Sequence, residues 1–457
     1  MKLLEKCLLV YISIIFTGCA VIQKTDLHQE VQKTSGKLKV DTVWQGLIEV
    51  EDKIIVPEGI TLTIKPGTII RFQKKGFKQY GFGDNRVYIQ KGGKLVASGN
   101  PENFITFTSA ERKPEPGDWH GLEFHSEDDL SILEYCKVEY AYEGIASILS
   151  SPGISNCIIS KNDKGLCFWQ KSGPMINKNK ITNNNTGILC SSRSEPNITS
   201  NIITYNKDSG INCEKGSSVN ILKNDINNNY IGIKMNLNVT ANVDENIIRN
   251  NEYGIQLLTV AAAIIKRNII EENKYGIYSL KKSFVNIKNN TFSKNEYGVF
   301  SWERTQGEIK HNKITKNNFG IYCGKSSHAE ITGNNIIKNM TGILCEFSSY
   351  PRINGNNIYD QKEFDIKLGE KQSAEWTRNI WDAVEINKWE ERGRFGLIDA
   401  TGNYWGGSTT KEIDEKGFES HIKKIYDYYK DKFISVDGKK YERDKVDFRN
   451  WAKSEIN

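Results

Sequence analysis

Residues 265–277 read Ile265-Lys266-Arg267-Asn268-Ile269-Ile270-Glu271-Glu272-Asn273-Lys274-Tyr275-Gly276-Ile277, and residues 287–299 read Ile287-Lys288-Asn289-Asn290-Thr291-Phe292-Ser293-Lys294-Asn295-Glu296-Tyr297-Gly298-Val299. Offset by 22 residues, both follow I-x-x-N-x-I-x-x-N-x-x-G-I, with Phe292 and Val299 as conservative exchanges. Working outward, the glycine with its following apolar residue recurs at Gly144, Gly165, Gly187, Gly210, Gly232, Gly254, Gly276, Gly298, Gly320 and Gly342. The intervals are 21, 22 and 23 residues and then six of 22. The apolar residues fall in short alternating pieces, too brief for a helix. Ile and Val suit strands, and helical repeats need about 33 residues or more. A unit of this length makes one turn of a parallel β-helix. Its three short strands each pair with their counterparts one coil on, about 4.8 Å away.

The chain holds 45 asparagines, most of them between 150 and 360. One column lies eight residues before the glycine (Asn179, Asn224, Asn246, Asn268, Asn290, Asn312, Asn334) and another three before it (Asn184, Asn229, Asn251, Asn273, Asn295, Asn317, Asn339). Both columns are expected at corners, where Asn tolerates left-handed geometry and bonds nearby backbone. Stacked in register, their amides bond along the column, so these residues are read as structural and not catalytic. The glycine is read as permitting the bend into a strand.

Coils also precede and follow the regular repeat. Val56-Pro57-Glu58-Gly59-Ile60-Thr61-Leu62-Thr63-Ile64 alternates apolar and polar residues, as do Lys94-Leu95-Val96-Ala97-Ser98 and Ile105-Thr106-Phe107-Thr108-Ser109. Gly117-Asp118-Trp119-His120-Gly121-Leu122-Glu123-Phe124 follows, and Asp399-Ala400-Thr401-Gly402-Asn403-Tyr404-Trp405-Gly406-Gly407 stands at the far end. Over about residues 40 to 450, these features resemble bacterial proteins with right-handed parallel β-helix repeats, the pectin-lyase-like superfamily that includes NosD-type periplasmic proteins. The fold class is therefore all-β: a single-stranded right-handed parallel β-helix, three strands per ~22-residue coil, with a C-terminal helical cap. N-terminal coils are expected over 39–128, regular repeats over 129–360 and an insertion over 361–397 bearing Trp376, Trp381 and Trp389. The last coil and cap are expected over 398–457. Ile413, Phe418, Ile422, Ile425, Tyr426 and Tyr429 are spaced for one face of a helix over 411–432, and Lys445-Val446-Asp447-Phe448 suits a closing strand.

The chain opens on Met1-Lys2 and an apolar run, Leu8 to Ala20, that reads as a secretory signal over 1–18. Phe16-Thr17-Gly18-Cys19 resembles a bacterial lipobox, which makes Cys19 the lipidated residue and 19–38 a tether. Ala20 after the cysteine resembles outer-membrane sorting, so the expected location is the bacterial cell envelope, lipid-anchored, at the outer membrane in a Gram-negative cell. Net charge is +6, from 62 basic and 56 acidic residues mixed along the chain. Without a basic stripe, nucleic acid is not an expected partner. The partners expected are a polysaccharide or an envelope protein, and the membrane through the lipid anchor.

Three function classes fit: a binder of polysaccharide or of an envelope partner, a polysaccharide lyase or glycoside hydrolase acting on an acidic glycan, and a structural accessory of an envelope assembly. The resemblance implies Arg or Lys with calcium-binding carboxylates in a lyase, and clustered Asp in a hydrolase. The sequence has no Asn-Thr-Asp and no Gly-His-Gly, and Asp128-Asp129 precedes the regular coils. Asp163, Asp208, Glu252 and Glu296 read as solvated corners. The reading favoured is non-catalytic binding. No cofactor is expected, and calcium would be called for only by a lyase. Cys136, Cys157, Cys190, Cys213, Cys323 and Cys345 sit at core-column positions as small apolar fillers. No metal site is expected, since neither Cys-x-x-Cys nor paired histidines appear.

Strand alternation turns the second and fourth residues after each repeat glycine outward. The second place holds Asn212, Lys234, Gln256, Tyr278, Phe300 and Tyr322, and the fourth holds Glu214 and Trp302. These eight residues are the expected ligand-binding face: rings to lie along a glycan, polar groups to bond it. Tyr253, Tyr275, Tyr297 and Phe319, one place before the glycine, are expected mainly to stack on each other.

Overall fold

The computed structural model describes residues 31–75, 84–125, 130–378 and 396–456. The signal, Cys19, Trp381 and Trp389 lie outside the described residues. In the coil that carries the first quoted stretch, the strands are Ala262–Lys266, Ile269–Glu271 and Tyr275–Ser279. All three pair in parallel with the next coil, placing Ile265 on Ile287, Ile270 on Phe292 and Ile277 on Val299. The first ladder has 16 strands, from Thr42–Trp44 to Lys445–Asp447. The second and third ladders join in one 29-stranded sheet, because the long strand Leu47–Val56 takes part in both. About 15 turns result, a rod on the order of 70 Å long at ~4.8 Å per turn. Its interior is the continuous stack of these inward residues, which are almost wholly buried.

The asparagine columns form, with one correction. Left-handed geometry falls on the residue before each column asparagine, such as Arg267 (φ 55) and Asn289 (φ 57), and not on the column asparagine itself. The left-handed residue turns outward, and the asparagine after it turns in. Asn268 Nδ2 donates to Val243 O (3.0 Å), Lys266 O (2.9 Å) and Asn290 Oδ1 (2.9 Å), and its backbone N–H donates to the same Oδ1 at 2.9 Å. The first column runs on to Asn403, and the second is completed by Gln361, whose longer amide does the same work. Corner carbonyls inside the rod are thereby satisfied without water.

The repeat glycines are needed for room and not for a bend. A Cβ at Gly254 would lie 2.6 Å from the carbonyl oxygen of Gly276, and the same approach recurs along the column. Gly254→Ala is expected to cost about 1–3 kcal/mol, because the obstructing atom is backbone on the next coil. Gly407→Ala is the matched control, since a Cβ there meets nothing within 4 Å and Gly407 is helical. Equal denaturation midpoints for the two variants would contradict this account.

Both ends differ from the sequence expectation. Part of the expected tether, Val31–Lys37, is a strand lying parallel on Leu47–Val56. It pairs what would otherwise be an open edge. The regular coils continue through Phe364–Leu368, past the boundary expected at 360. The helix expected over 411–432 is instead Gly406–Lys416, stopped by Gly417 at φ 79. Beyond it Ile422 is buried in a turn, and Ile425–Tyr426 adds a strand to the third ladder. The spacing of apolar residues was real, but it came from a helix, a turn and a strand in succession. Lys445–Asp447 closes the first ladder as expected. Cys190, Cys213, Cys323 and Cys345 are buried thiols facing the core. Cys167 instead lies on the outer side in a small separate cluster with Ala146 and Leu189, against Trp169.

Candidate functional site

The outer face of the third ladder carries the predicted residues. Asn212, Lys234, Gln256, Tyr278, Phe300 and Tyr322 are register partners on six successive coils. Their neighbours Ile211 and Cys213 are fully buried, so the alternation is as expected. Glu214 pairs with Asn236 one coil on and accepts a hydrogen bond from Ser191 Oγ at 3.2 Å. Tyr322 differs from the rest in being buried: its hydroxyl donates to Glu346 Oε2 at 2.7 Å. Burial and the adjacent Glu346 carboxylate push its phenol well above the usual range.

The rings form two columns. Tyr253, Tyr275, Tyr297 and Phe319 stack at 5.0 Å between centres, with planes within 14° of parallel. Beside them Tyr278 stacks on Phe300 at 5.0 Å, and Phe300 on Tyr322 at 4.5 Å. The columns meet edge to face, as for Tyr275 with Tyr278 at 4.9 Å and Tyr297 with Phe300 at 5.4 Å. In-column ring faces are therefore covered by other rings, and ring edges and hydroxyls are left for a ligand. Trp302 stands outside both columns, 6.0 Å from Phe300 and 6.1 Å from Tyr322. Its place depends on Gly324, where a Cβ would come within 2.5 Å of the indole.

Sequence reading missed a second group at the N-terminal end of the same face. The register places Glu123 opposite Ala146 and Ala146 opposite Cys167, so Glu123 continues the column that later holds Asn212. Arg86 Nη1 donates to Glu123 Oε2 at 2.6 Å, and His125 Nε2 lies 2.7 Å from the other oxygen. Burial opposes the Glu123 charge, but the hydrogen bonds from His125 and Arg86 win and hold its carboxyl at about 2. His120 Nε2 lies 3.9 Å from Glu123. Burial, reinforced by the Arg86 charge, lowers the His120 imidazole to about 4 and keeps it neutral at ordinary pH. One coil on, Lys164 donates to Tyr142 Oη and Glu143 Oε1, both at 3.0 Å. Burial disfavours the Lys164 cation, but these two bonds raise its pKa nonetheless. A neutral imidazole, a fixed carboxylate and a phenol beside an ammonium thus share one end of the face. Only the outward turn of Glu123 could have signalled this group, because Arg86 and Lys164 lie 37 and 41 positions away in the chain.

The two ends of the rod should respond oppositely to acid. His120 contributes stability above its unfolded pKa near 6.5, and that stability is lost as pH falls toward 4, by up to about 3 kcal/mol. Asp427 and Asp444 in the C-terminal cap are raised to about 6, in both cases by burial. Their contribution is fully present below about 3.8 and is lost as pH rises through 6. Between pH 7 and pH 5, hydrogen-exchange protection factors, which remove the intrinsic slowing of amide exchange in acid, should therefore fall around 119–125 and rise around 427–447. The same direction of change at both ends would refute the assignment.

Three parallel ladders, an Ile-stacked interior and paired corner amides define an all-β parallel β-solenoid of the right-handed type. Residues 36–131 match the family model "Pectate-lyase like beta helix domain", 106–246 match "Right handed beta helix region", and 220–409 match "Periplasmic copper-binding protein (NosD)". No curated protein matches the sequence. Among solved structures, the chain is similar to the periplasmic alginate epimerase AlgG, at 12% identity and a TM-score of 0.33, over 71% of this chain and 75% of that one. It is also similar to the Dettilon tailspike protein gp208, at 12% identity and a TM-score of 0.29, over 71% of this chain and 60% of that one. The copper in the third family description has no donor set among the described residues, where no group of three His, Cys, Asp or Glu is placed to hold an ion. His120, Glu123 and His125 come near one another, but Arg86 occupies the shared carboxylate.

Proposed function

We propose that this chain is a bacterial cell-envelope protein, lipid-anchored through Cys19 and at the outer membrane in a Gram-negative cell, whose rod binds polysaccharide along the outer face of the third ladder. The observation that carries the reading is the strip of partly exposed rings, Tyr253, Tyr275, Tyr278, Tyr297 and Phe300 with Trp302, set beside the polar column Asn212, Lys234 and Gln256. A contiguous ring-rich patch on a soluble surface marks a site of interaction, and a straight face with one repeat per coil suits an extended polymer. The short apolar run ending at Cys19, together with the match to a model whose description names a periplasmic protein, supports the location. A glycan array probed with the full chain tests the reading: retention of polymers without release of product is the expected result, and binding to no glycan would overturn it. A second reading, catalysis on a glycan, is favoured by the neutral His120 beside Tyr142 and Lys164. It requires product release that His120→Ala abolishes.

A further inference from the structure

The corner that follows most third-ladder strands is built from two left-handed residues, among them Thr259-Val260, Lys281-Lys282, Glu303-Arg304 and Lys325-Ser326 on four successive coils. All of these but Ser326 line a groove of about 450 Å³ immediately beyond Trp302. Its charge is one-sided: Lys281, Lys282, Arg304 and Lys325 face the single carboxylate of Glu303, which is already engaged by Lys325 Nζ at 3.2 Å.

On other faces of the rod several surface cations pair from coil to coil, although others, such as Lys316 and Lys338, are exposed as well. Lys274 pairs with Glu252 at 2.7 Å, Lys294 with Glu272 at 2.8 Å, Arg249 with Asp225 at 3.0 Å and Lys288 with Glu308 at 3.0 Å. In the groove Lys281 and Lys282 are both exposed, and among the described residues neither has an ion-pair partner. Fold stability gives no reason to gather four cations at adjoining corners, because like charges one coil apart repel. Lys281 and Lys282, exposed near an aromatic surface, offer what an anionic ligand needs: charge-assisted bonds to its acidic groups and apolar contact for the rest. Successive coils rise about 4.8 Å, so cations on neighbouring coils meet successive acidic groups of an extended polymer and not one compact anion.

We infer that the polysaccharide held by this rod is acidic, and that its carboxylates are bound in this groove by Lys281 and Lys282, with Arg304 and Lys325, while Trp302 contacts the adjoining sugar. The inference rests on the glycan-binding reading and names the class of glycan.

The test compares carboxymethyl cellulose with hydroxyethyl cellulose, which share a backbone and differ in charge, on the full chain and two variants. Wild type is expected to bind the carboxylated polymer at least about tenfold more tightly, with affinity falling as salt is added. Lys281→Gln with Lys282→Gln is expected to remove about tenfold or more of that affinity. Lys294→Gln, which removes a lysine already paired with Glu272, is expected to leave it unchanged. Equal binding of the two polymers, with the double variant unaffected, would overturn the acidic-glycan inference and leave the glycan reading standing. Equal loss in Lys294→Gln and in the double variant would show diffuse charge attraction and overturn the groove. Binding of neither polymer, with an array that also finds no glycan, would remove both readings.

Discussion

Replacing Asn268 with alanine is expected to destabilise the rod by about 3 kcal/mol, a larger loss than most single changes produce. The size follows from what the amide serves. Its Oδ1 accepts the backbone N–H of Asn246 at 2.8 Å and the Asn246 side chain at 3.0 Å, and its Nδ2 supplies Val243 O and Lys266 O. Alanine leaves the Asn246 N–H buried with no acceptor, and takes a donor from two corner carbonyls. Asn289→Ala is the informative comparison. Asn289 is the adjoining residue in the next coil's corner and is exposed at φ 57. Its replacement gives up left-handed tolerance but no buried bond, so about 1 kcal/mol is expected. Chemical denaturation of both variants measures the difference, and equal losses would show that the column amides do not carry the corners.

The double change Phe300→Ala with Trp302→Ala should weaken polysaccharide binding about 30- to 150-fold, or about 2–3 kcal/mol. Most of the loss should come from Trp302, which stands outside both columns, since Phe300 is stacked between Tyr278 and Tyr322 and offers a ligand only its edge. Both replaced side chains are partly exposed on the outer face, and neither reaches the Ile-stacked interior, so the variant should remain folded. Tyr297→Ala makes the contrast. Tyr297 is stacked on Tyr275 on one side and Phe319 on the other, each at 5.0 Å. Losing it should lower thermal stability more than affinity. Titration calorimetry on the three proteins separates a ligand-contacting ring from one that serves its neighbours. Undiminished affinity in the double variant would remove this face from consideration.

What the sequence disclosed, and what it withheld, divides along physical lines. The repeat of Ile265, Asn268, Ile270 and Gly276 on successive coils leaves one way to bury the apolar residues and satisfy the corners, so the ladders and their register were legible. Strand alternation likewise placed Tyr278 and Phe300 on one outer column. Alternation says which way a side chain leaves the backbone, but not what it meets, so the mutual covering of the ring faces and the burial of Tyr322 against Glu346 were not readable. The cluster around Glu123 was hidden for a different reason. Arg86, Glu123 and Lys164 come together only after coils of unequal length are stacked, and no local period links them. The left-handed corner residue was displaced by one, because asparagine's conformational tolerance competes with its use as a donor, and inside the rod the donor role wins.

The direction of the coil-to-coil hydrogen bonds has a mechanical consequence. Val31–Lys37 lies at one end of the stack, bonded to Leu47–Val56 alone. A pull applied there along the rod axis loads the bonds of the outermost coil first, and the coils beneath bear load only once it has let go. Such a structure peels where a shear-loaded sheet would rupture at once. Each 22-residue turn, once freed, pays out about 75 Å of extended chain. Under axial tension the rod would act as a stepwise extensible line, yielding at modest, repeated forces before any covalent attachment is strained.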